Sequence, residues 1–142
     1  MFIAALRTIW TFPTTAVGLG VGILCLPIGA RWQFHTGVIE IHGGGVAWLL
    51  ENAMLLKGGA VAITFGDCVL GRTQAALDMT REHERVHVRQ AHCWGPFFIP
   101  AYLLASVVAW WRGQNAYRGN AFEIEAYRIS DARSGTPLDD RL

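Results

Sequence analysis

At 142 residues the chain is long enough to bury one core and too short for two, so residues 1–142 read as a single domain. Its composition is 52% hydrophobic against 16% charged, with six tryptophans and a mean hydropathy of +0.29, which points toward membrane or a buried homo-oligomer. A net charge of +1 without a basic stripe excludes a nucleic-acid partner, and three scattered cysteines (Cys25, Cys68, Cys93) exclude a disulfide framework.

Residues 12–30 carry no charge before Arg31 and approach the length of a bilayer-spanning helix. Gly18 and Gly22 stand at GxxxG spacing, which lets another helix come close. The GLGVG run lacks the third glycine of a dinucleotide fingerprint. The segment 1–31 is expected to be a membrane helix. A signal peptide led by Arg7 and cut near Ala30 ranks second, and a buried core helix third.

The stretch RWQFHTGVIEIHGGG predicts a hairpin turning at Thr36-Gly37, with three glycines breaking its second strand. VAWLLENAMLLKGG fits either a short helix or a strand pair, and AVAITFGDCVLG (60–71) reads as a strand ending at Gly71. Asp78 is the expected N-cap of a helix that runs to about Trp94 and stops at Gly95-Pro96. Residues 95–111 form a second charge-free run. A polar loop follows, then a final helix beginning near Asn120, and a loose tail from 134.

Within the helix that ends near Trp94 lies His83-Glu84-Arg85-Val86-His87, an HExxH pattern. Residues four apart share a helix face, so both imidazoles can reach one metal ion, and Glu84 can act as general base on water without ligating. The competing explanation is a charge-laced helix, with Arg81–Glu84 and Glu82–Arg85 at i,i+3 spacing and Arg85 as an unusual charge inside the motif. A catalytic zinc takes three protein ligands. His92 is badly spaced for the third, and Cys93 is a weak candidate. Glu123 fits best, with Ala126 one turn on leaving room for close approach and Glu125 as the fallback. Glu123 also sits where a capping box from Asn120 would place its carboxylate. Gln90 lies two turns after His83 on the same face and reads as a residue that orients a ligand.

The segment HERVHVRQAHCWGPFFIPAYLLASVVAWWRGQNAYRGNAFEIEAYR (83–128) resembles a family of small bacterial proteins with a gluzincin-like layout. Their pattern is HExxHxxQ, Trp-Gly-Pro, an apolar segment, a Tyr and an Asn-x-x-Glu-x-x-Ala helix. Upstream the likeness rests on ITFGDCVLG, and relatives carry His where Asp67 stands here. The resemblance implies His83, His87 and Glu123 as Zn2+ ligands, Glu84 as catalytic acid/base, and a metallopeptidase acting on a peptide or protein substrate.

The expected fold is therefore α+β and minimal zincin-like. It combines an HExxH helix, a Glu-bearing C-terminal helix, a small β-sheet and an apolar N-terminal helix, with residues 32–142 as the catalytic part. The expected location is the bacterial inner membrane, in contact with lipid. His92, Tyr117, Tyr127 and Arg128 are candidates for stabilising an oxyanion. Two other functions fit the same residues: a non-catalytic metal-binding or structural membrane protein, and a zinc hydrolase of a non-peptide amide or ester. One conflict constrains all of them. If residues 95–111 crossed a bilayer, about 25 Å of helix would separate His87 from Glu123, so a three-ligand site requires this run to fold back.

Overall fold

The computed structural model describes residues 2–54 and 59–135. An α+β architecture is built on a four-stranded mixed sheet in the order β1-β2-β4-β3, where β1 is Arg31–His35, β2 Val38–His42, β3 Ala62–Phe65 and β4 Cys68–Gly71. β2 and β4 run parallel, and the two outer pairs are antiparallel.

Helix α1 (Phe2–Cys25) and helix α2 (Gly44–Asn52) lie on one face of the sheet, and α3 (Gln74–Trp94) lies on the other. Successive strand residues point to opposite faces. Ile41, Cys68 and Leu70 accordingly join Cys25, Val46 and Leu50 in the larger core, while Val38 and Val69 meet Leu77 and Val88 beneath α3. Burial on both faces explains why β4 reads as a continuous apolar run.

The Thr36-Gly37 turn forms as expected, with φ of 43° and 85°, joining β1 to β2. Two other expectations are corrected. Residues 60–71 are a hairpin rather than one strand, turning at Gly66-Asp67, where Gly66 has φ 61° and packs against Thr14 and Thr15 of α1. The N-cap of α3 is Thr73, whose side chain accepts from Ala76 N–H at 3.0 Å, and Asp78 lies inside the helix. Of the stretch VAWLLENAMLLKGG, the part up to Asn52 forms the helix α2, and residues 55–58 lie outside the described residues.

The GxxxG face of α1 receives strands, not another helix. A Cβ on Gly18 would stand 2.8 Å from Phe65 Cβ, and one on Gly22 would run into Ile41. Thr11, Thr14, Thr15 and Cys25 complete this buried face, while Ile9, Phe12, Ile23 and Leu24 stay exposed on the other. Helix α1 is thus half core element and half open apolar surface.

After α3 a 3-10 turn at Gly95–Phe97 leads into α4 (Phe98–Trp111), and a polar loop returns the chain to α5 (Ala121–Ser134). Asn120 caps α5 by accepting from Phe122 N–H at 2.9 Å, and Gly135 closes it in the left-handed conformation. Among the described residues, Leu6–Ile28 and Gln74–Trp111 are long and apolar enough to cross a membrane by length and composition. The expected tail lies almost wholly outside the described residues.

Candidate metal centre

Helix α3 is fixed to the sheet just ahead of its motif and at the motif's second residue. Arg81, two residues before His83, makes a two-pronged ion pair with the buried Glu40 of β2 at 3.0 and 3.1 Å and also meets Asp78 at 2.7 Å. Arg81 therefore does not pair with Glu84, and the helix is not simply a solvated, charge-laced one. Glu84 is 6% exposed and turns toward the sheet, where its Oε2 accepts from Thr64 Oγ1 of β3 at 2.7 Å.

His83 and His87 emerge on the face of α3 that packs against α5. His83 Nε2 lies 3.1 Å from His87 Nε2 and 3.1 Å from Glu123 Oε2, and His87 Nε2 lies 3.2 Å from Glu123 Oε1. Among the described residues these three form a group able to hold a metal ion. Helix α4 packs beside His87 through Phe98 and Tyr102 and α5 returns to it at Asn120, so His87 and Glu123 stand side by side. Glu123 is 2% exposed. It faces the histidines instead of closing a capping box, because Asn120 N–H donates to Tyr117 O.

The donor set fits a metal. Ligands about 2.0–2.1 Å from a tetrahedral zinc stand about 3.3 Å apart, close to the 3.1 Å between the two imidazole Nε2 atoms and to the 3.1 and 3.2 Å from each of them to one of the two Glu123 oxygens. His87 Nδ1 donates to Gln90 Oε1 at 2.8 Å, which leaves Nε2 as the ring nitrogen that faces His83 and Glu123. Gln90 in turn donates to Phe122 O at 3.0 Å and to Glu125 Oε2 at 2.8 Å, tying α3 to α5. Glu125 therefore supports the site at one remove from the triad. His83 differs, since its Nδ1 is buried without a hydrogen-bond partner among the described residues. Its ring is held by Nε2 and by Tyr127, with centroids 4.5 Å apart.

Burial alone would raise the Glu123 pKa. Hydrogen bonds from His83, His87 and Tyr102, with the His87 charge, hold it well below the usual carboxylate range. An ionised carboxylate is the form a metal requires.

All three tyrosines of the chain gather here. Tyr102 of α4 donates to Glu123 Oε1 at 2.6 Å, while the hydroxyls of Tyr117 and Tyr127 meet at 3.3 Å. Burial and the Glu123 charge push the Tyr117 hydroxyl well above its ordinary range, so it stays protonated.

Tyr102 and Thr64 escaped the sequence reasoning. Tyr102 and Ser106 are the only hydroxyl-bearing side chains between residues 95 and 111, and they stand four apart on one helix face, a signal that could have pointed to Tyr102. Thr64 left no comparable trace.

His92 points the other way, bonding Asp67 at 2.5 Å, and Asp67 also accepts from Thr11 Oγ1 at 2.8 Å. These residues fasten α1 to the β3–β4 turn and to α3. A cleft of about 270 Å³ opens on that side, lined by Arg85, Arg89, His92 and Arg133 among others, and the triad is not part of its lining. No cysteine joins the metal-capable group among the described residues. Cys25 and Cys68 are buried, with burial pushing the Cys68 thiol up to about 12, and Cys93 is exposed.

Compared with models of known protein families, with curated proteins and with solved structures, the chain matches none. What fold and site together define is an α+β protein carrying a buried His-His-Glu group of the HExxH type.

Proposed function

We propose that the chain is a membrane-associated zinc metallopeptidase with a gluzincin-like site. The observation that carries this reading is the convergence of His83, His87 and Glu123, with Glu84 following the first ligand on the same helix. Zinc in such a site serves as a Lewis acid toward water and toward a scissile carbonyl.

Glu84 takes the proton of the attacking water and returns it to the leaving amine, with Thr64 fixing the carboxylate's direction. Gln90 keeps His87 in the tautomer that ligates. Strand β3 stands at the sheet edge beside Glu84. An extended peptide paired along that edge would present its carbonyl to the site. The exposed apolar faces of α1 and α4, including Ile9, Leu24, Leu104 and Trp111, are the surface offered to lipid.

The test compares full-length wild type with Glu84→Gln on an unstructured, dye-quenched protein substrate. Wild type is expected to cleave it, to stop on chelation and to recover with zinc. The variant should hold the same zinc but lose about 10²–10⁴-fold in rate. A variant as active as wild type would remove Glu84 from the mechanism, and a wild type inert with zinc bound would leave a non-catalytic metal protein.

A further inference from the structure

Helix α4 presents an apolar outer face, with Leu103, Leu104, Val107 and Trp110 exposed. Its inner face carries Tyr102 and Ser106, one turn apart, and both bear on the start of α5. Asn120, fully buried, donates through Nδ2 to Tyr102 O at 2.9 Å and to Ser106 Oγ at 2.7 Å. Its Oδ1 meanwhile caps the helix that bears Glu123. One turn of α4 therefore grips the first turn of α5.

From that turn the Tyr102 hydroxyl reaches Glu123 Oε1 at 2.6 Å, the short distance of a bond to a charged acceptor. The ring has little freedom to swing away. It stacks on Phe122 at 6.1 Å and 27°, and meets Phe98 edge-on at 6.2 Å and His87 at 6.1 Å.

A carboxylate can bind a metal through one oxygen or two. In a site with two histidines, that choice sets whether the coordination number is four or five once water is present. Each Glu123 oxygen faces one histidine, Oε2 at 3.1 Å from His83 Nε2 and Oε1 at 3.2 Å from His87 Nε2, and Oε1 also accepts the short bond from Tyr102 at 2.6 Å. We propose that Tyr102 is a positioning residue that makes Glu123 a one-oxygen metal ligand, by occupying Oε1 and leaving Oε2 for the ion. The proposal rests on the metal-site reading above. Tyr117 also bears on Glu123, but its hydroxyl meets that of Tyr127 at 3.3 Å, and the short 2.6 Å bond to Glu123 is made by Tyr102.

The experiment uses the full-length protein in detergent, loaded with Zn2+ for affinity by chelator competition and with Co2+ for its visible spectrum. Tyr102→Phe keeps the ring and removes only the hydroxyl, and Val107→Ala, on the exposed face of the same helix, serves as control. Tyr102→Phe is expected to retain wild-type helix content and one metal per chain, but to bind zinc about 10- to 100-fold more weakly. Its Co2+ bands should lose intensity as Glu123 turns to two-oxygen binding and the site moves from four- toward five-coordinate. Val107→Ala should leave the Co2+ spectrum as in wild type. An unchanged spectrum and affinity in Tyr102→Phe would overturn the proposal while leaving the metal site standing. Loss of helix content in Tyr102→Phe alone would assign the tyrosine to packing and overturn it equally. A wild type that binds neither ion would instead remove the metal-site reading, and the role of Tyr102 with it.

Discussion

Glu40 and Glu84 are both buried carboxylates at the seam between the sheet and α3, and their partners give them different work. Glu84 accepts from one neutral hydroxyl, which orients it without tying it to a cation. Glu40 is locked to Arg81 and Gln33, a structural clamp between β2 and the helix that carries the histidines. Burial would raise the Glu40 pKa, but hydrogen bonds from Arg81 and Gln33 and the Arg81 charge hold it below the usual range. A carboxyl depressed on folding stabilises fully above its unfolded value, about 4.3, and loses that contribution as pH falls through the lower folded value. Glu40→Gln should therefore destabilise the fold by about 1–3 kcal/mol at neutral pH. The lower end of the range for broken buried pairs applies because Arg81 is 19% exposed and keeps Asp78. Denaturant unfolding at a series of pH values should show the difference from wild type shrinking below about pH 4. A difference constant with pH would show that the clamp does not work through charge.

At the scale of elements, what could be read in advance depends on where the determining contacts lie. The Thr36-Gly37 hairpin, the stop at Gly95 and the Asn120 cap are set by neighbours in sequence, and each appears where expected. The 60–71 hairpin was hidden because two four-residue strands are joined by only Gly66 and Asp67, so the pair reads as one stretch rich in strand-forming residues. The Gly18/Gly22 spacing was legible as a site of close approach, but nothing local says whether a helix or a sheet approaches. That contact can be tested directly. Gly18→Ala places a methyl 2.8 Å from Phe65 Cβ and 3.0 Å from Cys68 Cβ, and should cost about 1–3 kcal/mol. Gly20→Ala meets nothing within 4 Å and should instead gain up to about 1 kcal/mol of helix propensity. Thermal unfolding of the pair checks both signs, and equal behaviour would mean that α1 does not pack on the sheet through this face.

Over the whole molecule, the chain builds its site from segments that the sequence keeps apart. The histidines were legible because their spacing matches one helix face, and Glu123 because a second helix follows the returning loop. The hydroxyls of Thr64 and Tyr102 could be assigned to Glu84 and Glu123 only once β3 and α4 were packed against the site. Apolar composition alone did not separate the half of α1 that faces the sheet from the half that faces outward. The central claim is that His83, His87 and Glu123 hold a metal. Its most direct test is elemental analysis of the purified full-length protein, after zinc loading and dialysis, for wild type and for His83→Ala/His87→Ala. The account predicts one zinc per chain in wild type and none in the variant. A variant retaining as much zinc as wild type, or a wild type retaining none, would contradict it.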